Sequence, residues 1–182
     1  MNRAIRVFPR ILHAFLVVSD EDAVCPVCGV KLAYRDRRVR IYQQPGGRKD
    51  HLIIRWLRCP KCGGYHCELP DCIAPEKHYA SKTIEDVLDG SATSDDLDTE
   101  DYPCEHTMDR WDRWLRINSQ RIDGYLRSIG YRLLGLGMEF LKSQDSLLTK
   151  LRNTVIHGWL PAVLRIIVNS GGSLVPYRDG GA

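Results

Sequence analysis

The sequence predicts an α+β protein in which a small cysteine-bearing sheet precedes a helical part. Three observations indicate this: two Cys-x-x-Cys pairs in the first third, a strand–turn–strand pattern between them, and helical apolar spacing further on. We expect a sheet domain with an N-terminal strand over residues 1–75, a helical domain over 76–170, and a flexible glycine-rich tail over 171–182.

The two cysteine pairs are Cys25-Pro-Val-Cys28-Gly and Cys59-Pro-Lys-Cys62-Gly. A Cys-x-x-Cys turn aims two thiolates at one tetrahedral ion, and the following glycine permits the tight turn. Because the chain has seven cysteines, an odd number, and four lie in such pairs, a metal is favoured over disulfides in a reducing compartment. We therefore predict that Cys25, Cys28, Cys59 and Cys62 bind one structural Zn²⁺ ion. The alternative is four reduced, buried cysteines.

The segment between the pairs has the pattern of a β-hairpin. Strands are expected over residues 31–42 and 52–58, joined by a turn over 44–48 that contains Pro-Gly-Gly. A hairpin with a cysteine knuckle at each end is a zinc ribbon. Since four protein thiolates leave no open position for water or substrate, the metal is predicted to hold the fold and to take no part in catalysis.

Other sulfur and imidazole groups follow no standard ligand spacing. Unpaired cysteine is among the most buried residue types, so ordinary packing is expected for these side chains. They are His66, Cys67, Cys72, His78, Cys104 and His106.

The second half of the chain has helical periodicity. Ser81 is a candidate N-cap for the first helix, Gly90 its stop, and Thr107 a candidate N-cap for a helix that seven-residue apolar spacing extends to about residue 134. The polar residues Asn118 and Arg132 within this stripe argue for packing against neighbouring helices rather than a coiled coil. The expected helices span residues 82–89, 95–102, 108–134, 144–155 and 159–168.

A helix, a short helix, a proline-containing turn and an Arg/Trp-rich helix follow one another in the order of a helix-turn-helix unit. Arg110, Arg113 and Arg116 recur at three-residue spacing on the last of these helices, where they could contact phosphates or guanine edges. Asp109 and Asp112 alternate with them, so an exposed helix with ion pairs along its surface is the alternative.

Charge is strongly segregated along the chain. Residues 1–62 carry 13 basic and 5 acidic side chains, residues 63–105 carry 2 and 12, and residues 106–182 carry 11 and 6. Two basic segments around an acidic one suggest a polyanionic partner, although solvated surfaces are the simpler alternative. Arginines interleaved with aromatic residues in the hairpin are consistent with nucleic-acid contact. The predicted DNA-binding residues are Arg35, Arg37, Arg38, Arg40, Arg55, Arg110, Arg113 and Arg116.

Several function classes find no support in the sequence. No apolar run of about 18 residues is present, and arginines interrupt the N-terminal segment, so neither a membrane span nor a secretory signal is expected and the cytoplasm is the predicted location. There is no phosphate-binding glycine loop of the Walker type and no His-Glu-x-x-His motif. The carboxylates between residues 68 and 105 crowd into polar, loop-like sequence, which does not suit a two-metal transferase site. We expect no enzyme activity.

Four stretches carry a family resemblance: CPVCG at 25–29, LRCPKCGGYHCELPDCIAPEKHYA at 57–80, TMDRWDRW at 107–114 and GWLPAVLRIIVNS at 158–170. On these residues the chain resembles an uncharacterised family of zinc-ribbon and helix-turn-helix proteins, a domain of unknown function associated with transposases and mobile elements. The stretch at 57–80 is the most specific of the four. The resemblance implies DNA binding in the service of a mobile element.

Two functional hypotheses follow. The first is a zinc-dependent accessory protein or regulator of a mobile genetic element that binds double-stranded DNA, with a transposase or recombinase as a candidate protein partner. The second is an interaction adaptor whose ribbon and acidic segment dock a recombinase or polymerase without reading DNA. Salt-dependent binding to duplex DNA distinguishes the two hypotheses, because only phosphate contacts release counterions.

Overall fold

The computed structural model describes residues 5–11, 14–19, 22–96, 103–134, 137–142, 144–155 and 158–174. It has mixed α+β architecture and separates into two compact units, Met1–Ala80 and Ser81–Ala182. The predicted tail lies largely outside the described residues, which end at 174.

The first unit contains a five-stranded sheet. The strands, numbered β1 to β5 along the chain, have the order β1-β2-β4-β3. Strand β5 pairs with β4, at residues other than those that pair with β2. Neighbouring strands are antiparallel except for β2 and β4, which run parallel where Ala14–Leu16 faces His51–Ile53. The strands are β1 (Ile5–Ile11), β2 (Ala14–Ser19), β3 (Ala33–Gln43), β4 (Lys49–Arg58) and β5 (Tyr65–Cys67).

The predicted hairpin between the cysteine pairs is confirmed as β3 and β4. Its register runs from Ala33 opposite Arg58 to Gln43 opposite Lys49, with one irregularity between Tyr34 and Asp36. The fully buried carboxylate of Asp50 stabilises the turn, because it accepts hydrogen bonds from the side chains of Gln44 and Arg48. A buried carboxylate needs such donors, since burying an unpaired charge is costly.

One face of β4 forms the apolar core of the first unit. Leu52 and Ile54 alternate along that strand and pack with Val17 of β2 and Ile73 of the following segment. Phe15, Tyr42 and Leu69 are partly buried and pack against this cluster. Period-two alternation is what a strand with one buried face requires. Among the residues whose burial is described, four buried apolar side chains lie at the centre of this core.

The second unit is helical. The long helix and the last two helices lie close to their predicted positions. Two start signals differ from expectation: Ser81 is the first residue of its helix, and Thr107 lies inside a helix that already begins at Glu105. The helices are α1 (Ser81–Leu88), α2 (Glu105–Leu134), α3 (Met138–Lys142), α4 (Leu147–Thr154) and α5 (Trp159–Asn169).

The predicted apolar stripe of α2 is buried within the unit. Four residues of this spacing are at most 7% exposed: Met108, Trp111, Leu115 and Ile122. Trp114 and Leu126, which the spacing did not include, are buried as well. Asn118, also fully buried, donates a side-chain hydrogen bond to the carbonyl oxygen of Trp114, which satisfies one polar group of this side chain. Helix α2 therefore packs as a central element against α1, α4 and α5.

Two carboxylates connect distant helices of this unit. Asp123 on α2 accepts hydrogen bonds from the N–H of Leu148 (2.8 Å) and the hydroxyl of Ser146 (3.2 Å) at the start of α4. Glu85 on α1 is 3% exposed and accepts hydrogen bonds from the N–H groups of Gly158 (2.6 Å) and Leu160 (2.9 Å) at the start of α5. Each carboxylate thus satisfies helix N-terminal donors that the helix itself cannot pair.

The described residues do not show a helix-turn-helix. The expected short helix at 95–102 lies mostly outside them, and the helix expected to enter DNA buries both of its tryptophans inside the unit. Within the described ranges, we find no helix with the length and apolar character needed to cross a membrane.

Candidate metal centre and basic sheet surface

The first cysteine pair lies in a tight turn before β3. The N–H of Cys25 donates to the carbonyl oxygen of Val30, and the N–H of Gly29 donates to the carbonyl oxygen of Cys25, both at 2.8 Å. Gly29 has φ of 68°, a left-handed conformation that favours glycine. These bonds close the knuckle and place Cys25 and Cys28 on its inner side.

The second knuckle, between β4 and β5, repeats the same hydrogen-bond pattern. The N–H of Cys59 donates to the carbonyl oxygen of Gly64 (2.8 Å), the N–H of Gly63 donates to that of Cys59 (3.0 Å), and Gly63 has φ of 73°. The two knuckles therefore share the same backbone hydrogen bonds and the same left-handed glycine, and each holds its cysteine pair in the same local conformation.

The four predicted ligands converge as the spacing predicts. The sulfurs of Cys25, Cys28, Cys59 and Cys62 all lie within 4.8 Å of one another. Two Sγ–Sγ distances are 3.3 Å (Cys28–Cys59) and 3.7 Å (Cys25–Cys62). Thiolates bound to tetrahedral zinc at about 2.3 Å stand roughly 3.8 Å apart, so the cluster is close to the size the ion requires. Four soft thiolate donors suit zinc, and these residues can hold such an ion.

The sulfurs of Cys28 and Cys59 are close enough to hydrogen-bond, and this contact shifts the pKa of both thiols. Hydrogen bonding from the N–H of Cys62, 3.4 Å from its sulfur, lowers the pKa of Cys59 to about 6 against the opposing effect of burial. The hydrogen bond with the Cys59 sulfur, together with burial, raises the pKa of Cys28 to about 12. The pKa values of this close pair are thus shifted in opposite directions. A divalent cation would displace the shared proton and stabilise both thiolates.

The structure places His66 beside this cluster, which the sequence interpretation missed. Its Nε2 atom lies 3.6 Å from the Cys25 sulfur. The available signal was its position four residues after Cys62, where the second knuckle enters β5. The expectation that the remaining cysteines are buried was wrong, because Cys67, Cys72 and Cys104 are exposed free thiols.

Three hairpin arginines surround a stacked aromatic pair, and we call this group the arginine–aromatic cluster: Arg35, Arg38, Arg58, Trp56 and Tyr65. The Trp56 and Tyr65 rings stack with centroids 5.0 Å apart. The Arg35 guanidinium lies 4.7 Å from the Trp56 centroid and 4.5 Å from that of Tyr65, Arg38 lies 3.8 Å from Trp56, and Arg58 lies 5.8 Å from Tyr65. All three arginines are exposed. Within the described part of the chain, none of them has a carboxylate partner.

The other predicted hairpin arginines differ in their contacts. Arg37 is exposed on β3, whereas Arg40 donates to the carbonyl oxygen of Lys77 at 3.0 Å. Arg55 makes a bidentate pair with Glu68, at 2.6 and 2.8 Å, and this pair raises the pKa of Arg55 further. The Arg55 guanidinium is therefore held within the unit.

The three predicted arginines of α2, Arg110, Arg113 and Arg116, are exposed. Arg116 pairs with Asp112 one turn earlier at 2.9 Å, which is the i,i+4 arrangement of a surface ion pair. Arg110 and Arg113 also have interaction partners. The described surface of this helix thus carries at least one ion pair, between Arg116 and Asp112.

Residues 25–111 match the family model described as a domain of unknown function, DUF6431. The match begins at the first cysteine of the cluster and ends within α2, so it includes both knuckles, the hairpin and α1. No curated protein matches the chain, and no solved structure matches it either. The expectation of a domain of unknown function is confirmed.

Proposed function

We propose that this protein binds double-stranded DNA through the basic surface of its sheet and acts as an accessory or regulatory factor of a mobile genetic element. The observation that carries the proposal is the arginine–aromatic cluster, with its three exposed guanidinium groups and no carboxylate partner among the described residues. The mobile-element role and a transposase or recombinase partner are supported by the family resemblance alone. A cytoplasmic location belongs to the same proposal.

The stacking of arginine on aromatic rings favours phosphate binding for a physical reason. A guanidinium that lies over a ring makes its contact through its flat face, so its N–H donors at the edge remain directed outward. Restricting the side chain in this way also lowers the conformational entropy that phosphate binding would otherwise cost. Arg35 and Arg38, which contact Trp56 at 4.7 and 3.8 Å, are the strongest candidates.

In this proposal a zinc ion at the four cysteines supports the surface and performs no chemistry. The second knuckle joins β4, which carries Trp56 and Arg58, to β5, which carries Tyr65. Fixing the knuckle therefore fixes the spacing of the two stacked rings. A zinc ion with four thiolate ligands has no position for a substrate, which favours a non-catalytic role.

The exposed arginines of α2 are proposed as a second DNA contact. Arg110, Arg113 and Arg116 would add phosphate contacts or, if α2 enters a groove as in a helix-turn-helix, base contacts. The existing ion pair of Arg116 opposes this role, because DNA must then displace the Asp112 carboxylate from it. We rank the sheet surface first for this reason.

The test is binding of a labelled duplex, followed by fluorescence anisotropy at several salt concentrations. We expect Arg35→Gln/Arg38→Gln to weaken binding and to reduce the slope of log affinity against log salt by roughly 0.9 for each phosphate that the variant no longer neutralises. Arg110→Ala/Arg113→Ala/Arg116→Ala tests the helix separately and is expected to leave zinc content unchanged.

The matched control is Lys31→Gln/Lys82→Gln, which removes the same charge from two exposed lysines that already pair with Asp22 and Asp86. It should leave the salt slope unchanged. An equal reduction of the slope in the control and in the arginine variant would show that total charge, not the cluster, determines binding. No measurable binding by the unmodified protein would remove DNA from the proposal.

A second candidate function is an adaptor that docks a recombinase or polymerase. It is favoured by the other face of the hairpin, where Val39 is 62% exposed and Ile41 is 37% exposed beside half-buried Ile53. Apolar side chains grouped on an open sheet face suit a protein partner. An adaptor would show almost no affinity for duplex DNA in the same titration.

A further inference from the structure

His66 lies beside the four cysteines of the candidate metal centre. It lies on β5, directly after the second knuckle, and its Nε2 atom is 3.6 Å from the sulfur of Cys25. Its side chain is half-buried. The imidazole nitrogen therefore faces the cluster of sulfurs.

The distance matches that between two ligands of one ion. With zinc–sulfur bonds of about 2.3 Å and zinc–nitrogen bonds of about 2.05 Å, tetrahedral geometry separates sulfur and nitrogen by roughly 3.5 to 3.6 Å. Cys62 lies at a similar distance from the same sulfur, 3.7 Å. The distance from the Cys25 sulfur to His66 Nε2 therefore suits a second zinc ligand as well as the distance to Cys62 does, and Cys62 is the fourth ligand that the sequence predicts.

Cys62 and His66 also lie next to the same glycine. A methyl group added at Gly64 would lie 3.4 Å from both the Cys62 sulfur and the His66 Nε2 atom, so both groups border this glycine. Cys62 is the exposed member of the four cysteines, whereas Cys25 and Cys59 are buried. The candidate ligand most open to oxidation or alkylation therefore borders the same glycine as the imidazole.

We propose that His66 is a reserve ligand, which binds the zinc ion in place of Cys62 when Cys62 is replaced, or when a hydroperoxide oxidises its thiolate to a sulfenate and is itself reduced to water or an alcohol. The exchange breaks one zinc–sulfur bond and forms one zinc–nitrogen bond through the lone pair of a neutral imidazole. The centre changes from four thiolates to three thiolates and one imidazole, a ligand set that zinc accepts in structural sites. This inference rests on the proposed zinc centre and is independent of DNA binding.

The test is a double-mutant cycle on the full chain with zinc affinity as its readout, measured by competition with a chromophoric chelator. His66→Ala alone should change affinity by less than about threefold, because four thiolates remain. In the Cys62→Ser background, the same His66→Ala change should weaken zinc binding by at least about tenfold, since the imidazole is then one of the four ligands.

Cobalt substitution provides a second readout. The Cys62→Ser protein should keep the visible spectrum of tetrahedral Co²⁺ with the sulfur charge-transfer intensity of three thiolates, and Cys62→Ser/His66→Ala should lose the tetrahedral bands. A parallel cycle with Cys28→Ser is the control, since the sulfur contact of Cys28 is to Cys59 at 3.3 Å. Coupling to His66 should be absent there.

Equal effects of His66→Ala in both backgrounds overturn the proposal, as does a Cys62→Ser protein that retains no zinc. An unmodified chain that binds no zinc is a different result, because it would refute the metal centre itself and not only the reserve ligand.

Discussion

The two units of this protein are stabilised in contrasting ways. In the described part of the sheet unit, the central apolar cluster contains four buried side chains, and two glycine-containing knuckles hold the strand ends together. In the helical unit, a continuous set of buried apolar residues extends along α2, α4 and α5, and carboxylates join distant helices. We infer that the first unit depends on its proposed ion, whereas the second has a core sufficient for folding.

Metal removal tests this contrast most strongly. Chelation of zinc, or Cys59→Ser, should unfold the sheet unit, because structural zinc contributes on the order of 10 kcal/mol to the folding of small metal-dependent domains. The helical unit should stay folded. The four tryptophans report on the units separately, since Trp56 lies in the sheet and Trp111, Trp114 and Trp159 lie in helices.

The measurement is the set of indole N–H signals in a ¹H–¹⁵N NMR spectrum. The Trp56 signal should move to its random-coil position while the three helical signals stay in place. Cys72→Ser is the matched control, because it removes an exposed thiol outside the cluster and should leave all four signals unchanged. Simultaneous loss of all four signals would show that the units fold as one.

Glu85 tests the same contrast from the helical side. Glu85→Ala removes the acceptor for the N–H groups of Gly158 and Leu160, so the buried donor of Leu160 and the more exposed donor of Gly158 both lose their partner. We expect a decrease of about 3 kcal/mol in the free energy of unfolding, measured by urea denaturation followed by helical circular dichroism. Zinc content should not change. Lys82→Ala, on the same helix in an exposed pair with Asp86, should cost under about 0.5 kcal/mol.

Local features of this protein could be predicted from its sequence, whereas contacts between residues far apart in the chain could not. The cysteine cluster, the hairpin and α5 were predictable because knuckle spacing, strand alternation and helical periodicity are local patterns. The pairing of Glu85 with Gly158 was not, because 73 residues separate the partners. His66 was missed for a similar reason, since its sulfur neighbour Cys25 lies 41 residues away on the other knuckle. The parallel pairing of β2 with β4 also depends on chain folding, not on either strand's pattern.

The smallest expected changes in stability come from replacing Arg55 and Arg116. From the sequence, both arginines are predicted DNA contacts. Arg55 is one-third exposed and pairs with Glu68, whose side chain is 6% exposed, whereas Arg116 and Asp112 are both largely exposed. Arg55→Ala should therefore lower the stability of the sheet unit by about 1 to 2 kcal/mol, because it leaves a buried carboxylate without its partner. Solvent screens the Arg116 pair, and Arg116→Ala should cost under about 0.5 kcal/mol.

Urea denaturation of the zinc-loaded protein measures both changes, with the Trp56 indole signal reporting on the sheet unit and helical circular dichroism on the other. If Arg55 serves mainly in DNA binding, Arg55→Ala would leave stability unchanged and reduce the salt slope for duplex DNA instead. A decrease in stability with an unchanged slope assigns Arg55 to the fold. In that case, the arginines of the hairpin that contact DNA are those not already paired with a carboxylate. Among the described residues, these include Arg35 and Arg38.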